Sequence, residues 1–233
     1  MLTPNEREFF LENGYLHVEK VLEGERLALI QLEFDRVWEL EKPPVSQHKL
    51  LKHRAFIDLI AHPPILARHQ AIFGAQTQLL QSDLLRQGPH NTTMPDYAWH
   101  RDFTMRGDFP LSINTILYLN DITEETGPTR VVPGSHRGTE QPMGSQRGGP
   151  IEGQIPVYAK AGDAVFINSA IWHTGGCNHS DELRRGIYLY YGYWWLKRYD
   201  AERALPWQAL ENADETRLQL LGIKMPAGDV HMY

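Results

Sequence analysis

The chain reads as a mainly β protein with flanking helices. Three observations predict this. Short β-prone runs, separated by turn signals roughly every 8–15 residues, fill about 76–200. Helical patterns come before them, in about 1–75. One more helical pattern closes the chain after 200. Evenly spaced short strands of this kind build a sandwich or a barrel. No repeat or linker composition interrupts the 233 residues, so 1–233 is expected to be a single domain.

The elements follow in order. "TPNEREFFLENG" is a helix: Thr3 caps it, Pro4 takes the first helical position, Glu6 completes a capping box, and Gly14 stops it. "YLHVEKVL" is a short strand. Over 23–41, Leu27, Ile30, Phe34, Val37 and Trp38 recur at helical spacing, and "EKPP" ends the helix. Residues 53–73 are helical, broken at Pro63 and Pro64. "TQLLQSDLLRQG" and "LSINTILYLND" are strands, the second ended by Asn-Asp. "TEETGPTRVVPGSHRG" gives a turn, a short strand and a turn, and "TEQPMGSQRGGPIEGQ" is a polar loop. "IPVYAKAGDAVFINSAIWHTGGCN" places two strands around "AGD". "RRGIYLYYGYWWL" is the most β-prone run of all. "LPWQALENADETRLQLLGI" is a helical tail ending at Gly222.

Composition narrows the function. The formal charge of −6 argues against nucleic acid as the main partner. The single cysteine, Cys177, excludes an internal disulfide and fits a reducing, cytoplasmic setting. The opening "MLTPNEREFF" has no secretory character, and no apolar run approaches the ~20 residues of a membrane span. Nothing in the sequence sets the oligomeric state.

Chemistry concentrates in "AWHRDFT", residues 98–104. On a strand, residues two apart share a face, so His100 and Asp102 would present an imidazole and a carboxylate together. His173, in "NSAIWHTGG", is the natural third ligand, since the glycines after it leave room. Two histidines and one carboxylate form the facial triad of non-haem Fe(II) oxygenases. Three protein ligands leave three octahedral positions open for a chelating co-substrate and dioxygen. The blander reading stays open here, with Asp102 capping a turn and His173 a core histidine. The chain has eleven histidines. His17, His48, His53, His62, His69 and His231 read as non-ligands, His136 as structural, and His179 as a loop residue.

The chain resembles the phytanoyl-CoA dioxygenase (PhyH) family of Fe(II)/2-oxoglutarate oxygenases. "LTPNEREFFLENGYLHVEKVL", "WHRDFT", "LNDITEETGPTRVVPGSHRG" and "AGDAVFINSAIWHTGGCNHSDELRRGIYLYY" carry the resemblance, with a short final helix closing in "LLG". "VVPGSH" and the spacing from His173 to the following arginines are its most specific parts. The resemblance implies a double-stranded β-helix, or jelly-roll, cupin-like core. It implies catalytic iron held by His100, Asp102 and His173, 2-oxoglutarate as co-substrate, and dioxygen. Family spacing puts the arginine for the distal carboxylate eleven residues after His173, at Arg184, with Arg185 on the other face. Asn114, Gln81 and Arg86 are further candidate co-substrate contacts. The strand alternation groups Ser112, Asn114, Ile116 and Tyr118 on one side. Arg101 stands where relatives often carry Gln, and is expected to point away from the metal.

The expected function is oxidation, most simply hydroxylation, of a small metabolite or natural-product intermediate, with release of succinate and carbon dioxide. Halogenation is not expected, because halogenating relatives replace the carboxylate that Asp102 supplies. Loops 87–98 and 136–156 are expected to border the mouth. Tyr97, Trp99, Phe103, Met105, Trp172 and Tyr193 either line the cavity or belong to the core. Arg106 makes an anionic substrate compatible with the site. The alternatives are a non-catalytic jelly-roll binding module, or a cupin-type metalloenzyme without 2-oxoglutarate. Arg184 argues against the second, whose chemistry has no use for such a cation.

Overall fold

The computed structural model describes residues 2–91, 96–103, 105, 107, 109–138 and 148–226. Five helices lie in the first third: α1 (Pro4–Asn13), α2 (Gly24–Glu41), α3 (Gln47–Leu50), α4 (Arg54–Leu59) and α5 (Pro63–Phe73). Two more, α6 (Trp207–Leu210) and α7 (Glu215–Leu220), follow the sheets. The strands are β1 (Tyr15–Val18), β2 (Val45–Ser46), β3 (Thr77–Gln87), β4 (Ser112–Tyr118), β5 (Thr129–Val131), β6 (Ile155–Val157), β7 (Ala164–Asn168), β8 (His173–Thr174) and β9 (Arg184–Tyr193).

Local signals set most of these boundaries. Thr3 Oγ1 accepts from the Glu6 amide at 3.1 Å while the Glu6 carboxylate accepts from the Thr3 amide, so the capping box forms. Gly14 then turns into the left-handed region at φ 79° and returns its N–H to Phe10 O. Pro63 and Pro64 break the 53–73 stretch by opening α5, where a missing N–H costs no helical bond. The helical tail differs from expectation. Asn212 adopts φ 48°, and Asp214 caps a new start by accepting from the Arg217 amide, so α6 and α7 are separate. The strand at 15–22 ends early, at Val18, and Lys20 takes φ 53°. α3 and β2 had no sequence signal, being only four and two residues long.

The larger sheet runs β1-β7-β4-β9-β3-β2 and the smaller β6-β5-β8, with every pairing antiparallel. Strand alternation divides the core in two. Ala164 and Phe166 of β7, Ile113 and Leu117 of β4, and Ile187, Leu189 and Tyr191 of β9 pack with Phe34, Phe56 and Ile65 of the helices. The intervening Val165, Ile167 and Ile116 turn the other way, onto Val131 and Val157 of the small sheet. The functional residues gather on this inter-sheet face. Among the described residues no helix is long and apolar enough to cross a membrane.

Candidate active site

His100 forms a single antiparallel bridge with His173, the first residue of β8, each backbone donating to the other at 3.0 Å. This pairing, rather than a continuous strand through 100–102, brings the two imidazoles together. Their ring centroids are 4.3 Å apart. Asp102 sits at a bend, with Oδ1 3.7 Å from Nε2 of both histidines. One ligand atom from each of the three lies within 4.8 Å of the others.

Backbone carbonyls orient both rings. His100 Nδ1 donates to Ala98 O at 2.8 Å, and His173 Nδ1 to Ile171 O at 3.1 Å. Nδ1 therefore carries a proton in each ring, and each Nε2 is turned towards Asp102. Burial holds the His173 pKa below its ordinary value, opposed by Asp102 and reinforced by His100, so the ring stays neutral as a metal ligand requires. Among the described residues, Asp102 Oδ2 is buried without a hydrogen-bond partner. An unsatisfied buried carboxylate oxygen is costly, and a cation at the centre of the three residues would satisfy it. The donor set fits Fe(II).

The loop after His173 is fixed by close backbone contact. A Cβ on Gly127, at φ 82°, would fall into the Cys177 carbonyl, so this crossing needs glycine. Gly175 and Gly176 leave a cavity of about 260 Å³ beside His100 and His173. Its walls include Asp83, Leu85 and Gln87 of β3, Asn114 and Ile116 of β4, and Arg184, Tyr188 and Tyr190 of β9. The ladder explains this set: Gln87 pairs with Arg184, Asp83 with Tyr188, Asn114 with Tyr190 and Ile116 with Tyr188. Paired residues share a face.

Arg184 is 3% exposed, an unusual place for a guanidinium. It donates to Gln87 Oε1 at 3.2 Å and to Gly176 O at 3.1 Å, and lies over the Tyr118 ring. Arg185 turns to the opposite face, onto Asp35 and Asn120. Asn114 reaches the cavity with its Oδ1 buried and unpartnered. Burial pushes the Tyr188 hydroxyl up to about 12 and raises Tyr190 as well. Burial likewise raises the Asp83 carboxyl to about 6, with Asp200 adding to the rise and a hydrogen bond from Gln81 opposing it.

Two expected contacts are not brought in. Arg86 lies on the helix side, donating to Glu39 at 3.1 Å with its guanidinium over Trp38. Strand alternation puts it opposite to Gln87. Gln81 donates to Asp83 and borders the neighbouring depression with Tyr199 and Asp200. Arg101 points away from the triad, as expected, donating to Ser135 O and lying over Trp172. None of Tyr97, Trp99, Phe103, Met105, Trp172 and Tyr193 lines the cavity. Trp99 donates to Gly149 O, and Tyr193 packs on Phe73 and Trp195. Arg106 and His231 lie outside the described residues. Asp83, Gln87, Tyr188 and Tyr190 were missed. For Tyr188 and Tyr190, the even spacing from Arg184 on one strand was the signal that could have found them; Asp83 and Gln87, on another strand, carried none.

A second cluster, Asp96, Cys177 and His179, also brings its polar atoms within 4.8 Å. There the Asp96 carboxylate already accepts from the Cys177 amide at 2.8 Å and lies 3.4 Å from His179.

The comparisons with known proteins concern the family and the fold. Residues 10–186 match the family described as phytanoyl-CoA dioxygenase (PhyH). The dioxygenase andF of Emericella variicolor is 30% identical over 120 residues, which cover 50% of this chain and 40% of that protein. Thus the match spans less than half of that relative. The structure of SnoK, a non-heme alpha ketoglutarate dependent carbocyclase from nogalamycin biosynthesis, aligns with TM-score 0.68 at 23% identity, covering 82% of this chain and 84% of that one. HygX from Streptomyces hygroscopicus, with nickel and 2-oxoglutarate bound, aligns with TM-score 0.69 at 18% identity, covering 88% and 96%. These likenesses show the jelly-roll core. The match over 10–186 settles kinship: the chain belongs to the phytanoyl-CoA dioxygenase family.

Proposed function

We propose that residues 1–233 form one Fe(II)- and 2-oxoglutarate-dependent dioxygenase domain that oxidises a small molecule, most simply by hydroxylation. One observation carries the reading. Three metal-type donors converge around an unsatisfied carboxylate oxygen, and a buried arginine lines the same cavity. His100, Asp102 and His173 would hold the iron. When bound, Fe(II) with 2-oxoglutarate and dioxygen supplies the oxidation of a carbon centre, releasing succinate and carbon dioxide.

The chain's own residues bind and orient. The two Nδ1–H···O=C bonds hold both imidazoles aimed, each with Nε2 turned towards Asp102. Arg184 presents a planar fork to the distal carboxylate of 2-oxoglutarate, as guanidinium matches carboxylate geometry. Gln87 and the Gly176 carbonyl hold that fork in place. Asn114, in the cavity wall, would donate its amide N–H to a co-substrate oxygen. The nickel and 2-oxoglutarate in HygX support this choice of cofactors.

The test is Fe(II) titration under anaerobic conditions. His100→Ala, Asp102→Ala and His173→Ala are each expected to lose iron binding while circular dichroism stays unchanged. Three variants that all retain full iron affinity would refute the assignment.

A further inference from the structure

Asp83 is an ionisable group in the cavity wall that neither the proposed triad nor the proposed co-substrate anchor uses. It shares a face of β3 with Gln87, the ladder partner of Arg184, and stands four residues away, about 13 Å along the strand. The cavity therefore has a cationic end at Arg184 and an anionic end at Asp83. Gln81 is its hydrogen-bond partner among the described residues, and no lysine or arginine there pairs with it. Asp200 adds a second negative charge nearby. Tyr190 lines the same end of the cavity, edge-on to Tyr199 at 6.1 Å, and Tyr199 meets Phe103 at 6.1 Å.

Resting on the dioxygenase reading above, we propose that Asp83 is the recognition group of a substrate subsite for a hydrogen-bond donor, a hydroxyl or a protonated amine. The argument is one of charge compensation. Iron would neutralise Asp102, and the co-substrate carboxylate would neutralise Arg184. Asp83 alone would remain a half-buried carboxylate facing an amide, which compensates a charge only in part. An ionised carboxylate accepts hydrogen bonds and donates none. A substrate hydroxyl or ammonium completes it, whereas a substrate carboxylate would bring a like charge to it. The neighbouring tyrosine rings offer apolar faces for the carbon skeleton. The expectation of an anionic substrate rested on Arg106; Asp83 points to the opposite polarity.

The test uses ring compounds in matched triplets that differ only in a hydroxyl, an amine or a carboxylate, with the unsubstituted ring as reference. Dissociation constants are read by ligand-observed NMR on the full chain carrying Zn(II) and 2-oxoglutarate. Hydroxyl and amine members should bind at least about tenfold tighter than their carboxylate partners. Asp83→Asn should weaken the amine members about tenfold more than the hydroxyl members, because only the ammonium loses a charge partner. Asp83→Ser, checked by circular dichroism, must move the same ratios in the same direction. Carboxylates binding as well as amines and hydroxyls, no member binding better than the unsubstituted ring, or selectivity unchanged in both variants would overturn the subsite. Fe(II)-dependent succinate formation by the unmodified protein is measured separately. Its absence overturns the dioxygenase reading and this inference with it; its presence alongside unselective binding overturns the subsite alone.

Discussion

Each histidine of the triad donates one ring N–H to a carbonyl two residues upstream, His100 to Ala98 and His173 to Ile171. The tautomer is thus set by the backbone before any metal arrives. The two arginines are set apart by strand parity, and this gives a paired prediction. Arg184→Ala should raise the apparent KM for 2-oxoglutarate steeply, since a buried charge left unpaired costs on the order of 2–5 kcal/mol. Arg185→Ala, which removes contacts to Asp35 and Asn120, should change it little. Equal effects, read from initial rates, would contradict the assignment. Asp83 gives a stability prediction. Its native pKa of about 6 lies above the ordinary 3.8, so the native state holds the extra proton between those values. Stability from this group is therefore full below about pH 4 and lost as pH rises through 6, by roughly 2–3 kcal/mol. Asp83→Asn should raise Tm relative to the parent at pH 8, with the advantage absent at pH 4; an equal shift at both would contradict this. His100, Asp102 and His173 could be picked out as candidates from residue type and the i, i+2 spacing, and Arg184 from the family resemblance. Asp83 and Gln87 could not, because a polar residue on a strand reads alike whether it faces solvent, partner or cavity. Arg86 could have been set aside on parity, since it alternates with Gln87 on the same strand.

β9 shows how one strand serves both core and site. Ile187, Leu189 and Tyr191 face the helices, while Arg184, Tyr188 and Tyr190 face the cavity. Gly186 keeps that cavity face open, for a Cβ there would come within 3.2 Å of the Tyr188 ring. The strand itself was plain from its β-branched and aromatic run, and so were α1 from its caps and α2 from its periodicity. α3 and β2 were not, because so few residues carry no period. Beneath β9, His69 of α5 stacks on Tyr191 at 4.0 Å and hydrogen-bonds Thr115 at 2.8 Å. Complete burial lowers its pKa to about 3, so it is neutral in the native state. The unfolded chain takes up a proton below about pH 6.5, the native chain only near 3. Stability from this residue is present above pH 6.5 and lost as pH falls, by about 2 kcal/mol at pH 5. His69→Gln, which cannot titrate, should lose correspondingly less stability between pH 7 and pH 5 in urea unfolding. An unchanged difference would show that His69 does not carry it.

Across the molecule, the helices cover one face of the large sheet and leave the other to the small sheet and the cavity. Active sites of many chemistries are grafted on such scaffolds, so the fold alone does not choose the reaction. SnoK, with this fold, is a carbocyclase. Asp102 narrows the choice. With a carboxylate in the proposed third ligand position, no place remains for a halide beside 2-oxoglutarate and dioxygen. Product mass spectrometry after reaction in bromide should find oxidised and no brominated product; a brominated one would overturn the reading of Asp102. The family sequence marks, the strand pattern and the triad could all be read from the chain. The substrate end could not, because it is assembled by the register of β3 on β9. His100, Asp102, His173 and Arg184 are proposed to make one iron- and 2-oxoglutarate-dependent oxidant. Succinate formed from 2-oxoglutarate in air, with and without Fe(II), by the unmodified protein and by Asp102→Ala, measures it most directly. Iron-dependent succinate is expected from the unmodified protein and none from the variant. Succinate at equal rates from both, or none from the unmodified protein with iron present, would contradict it.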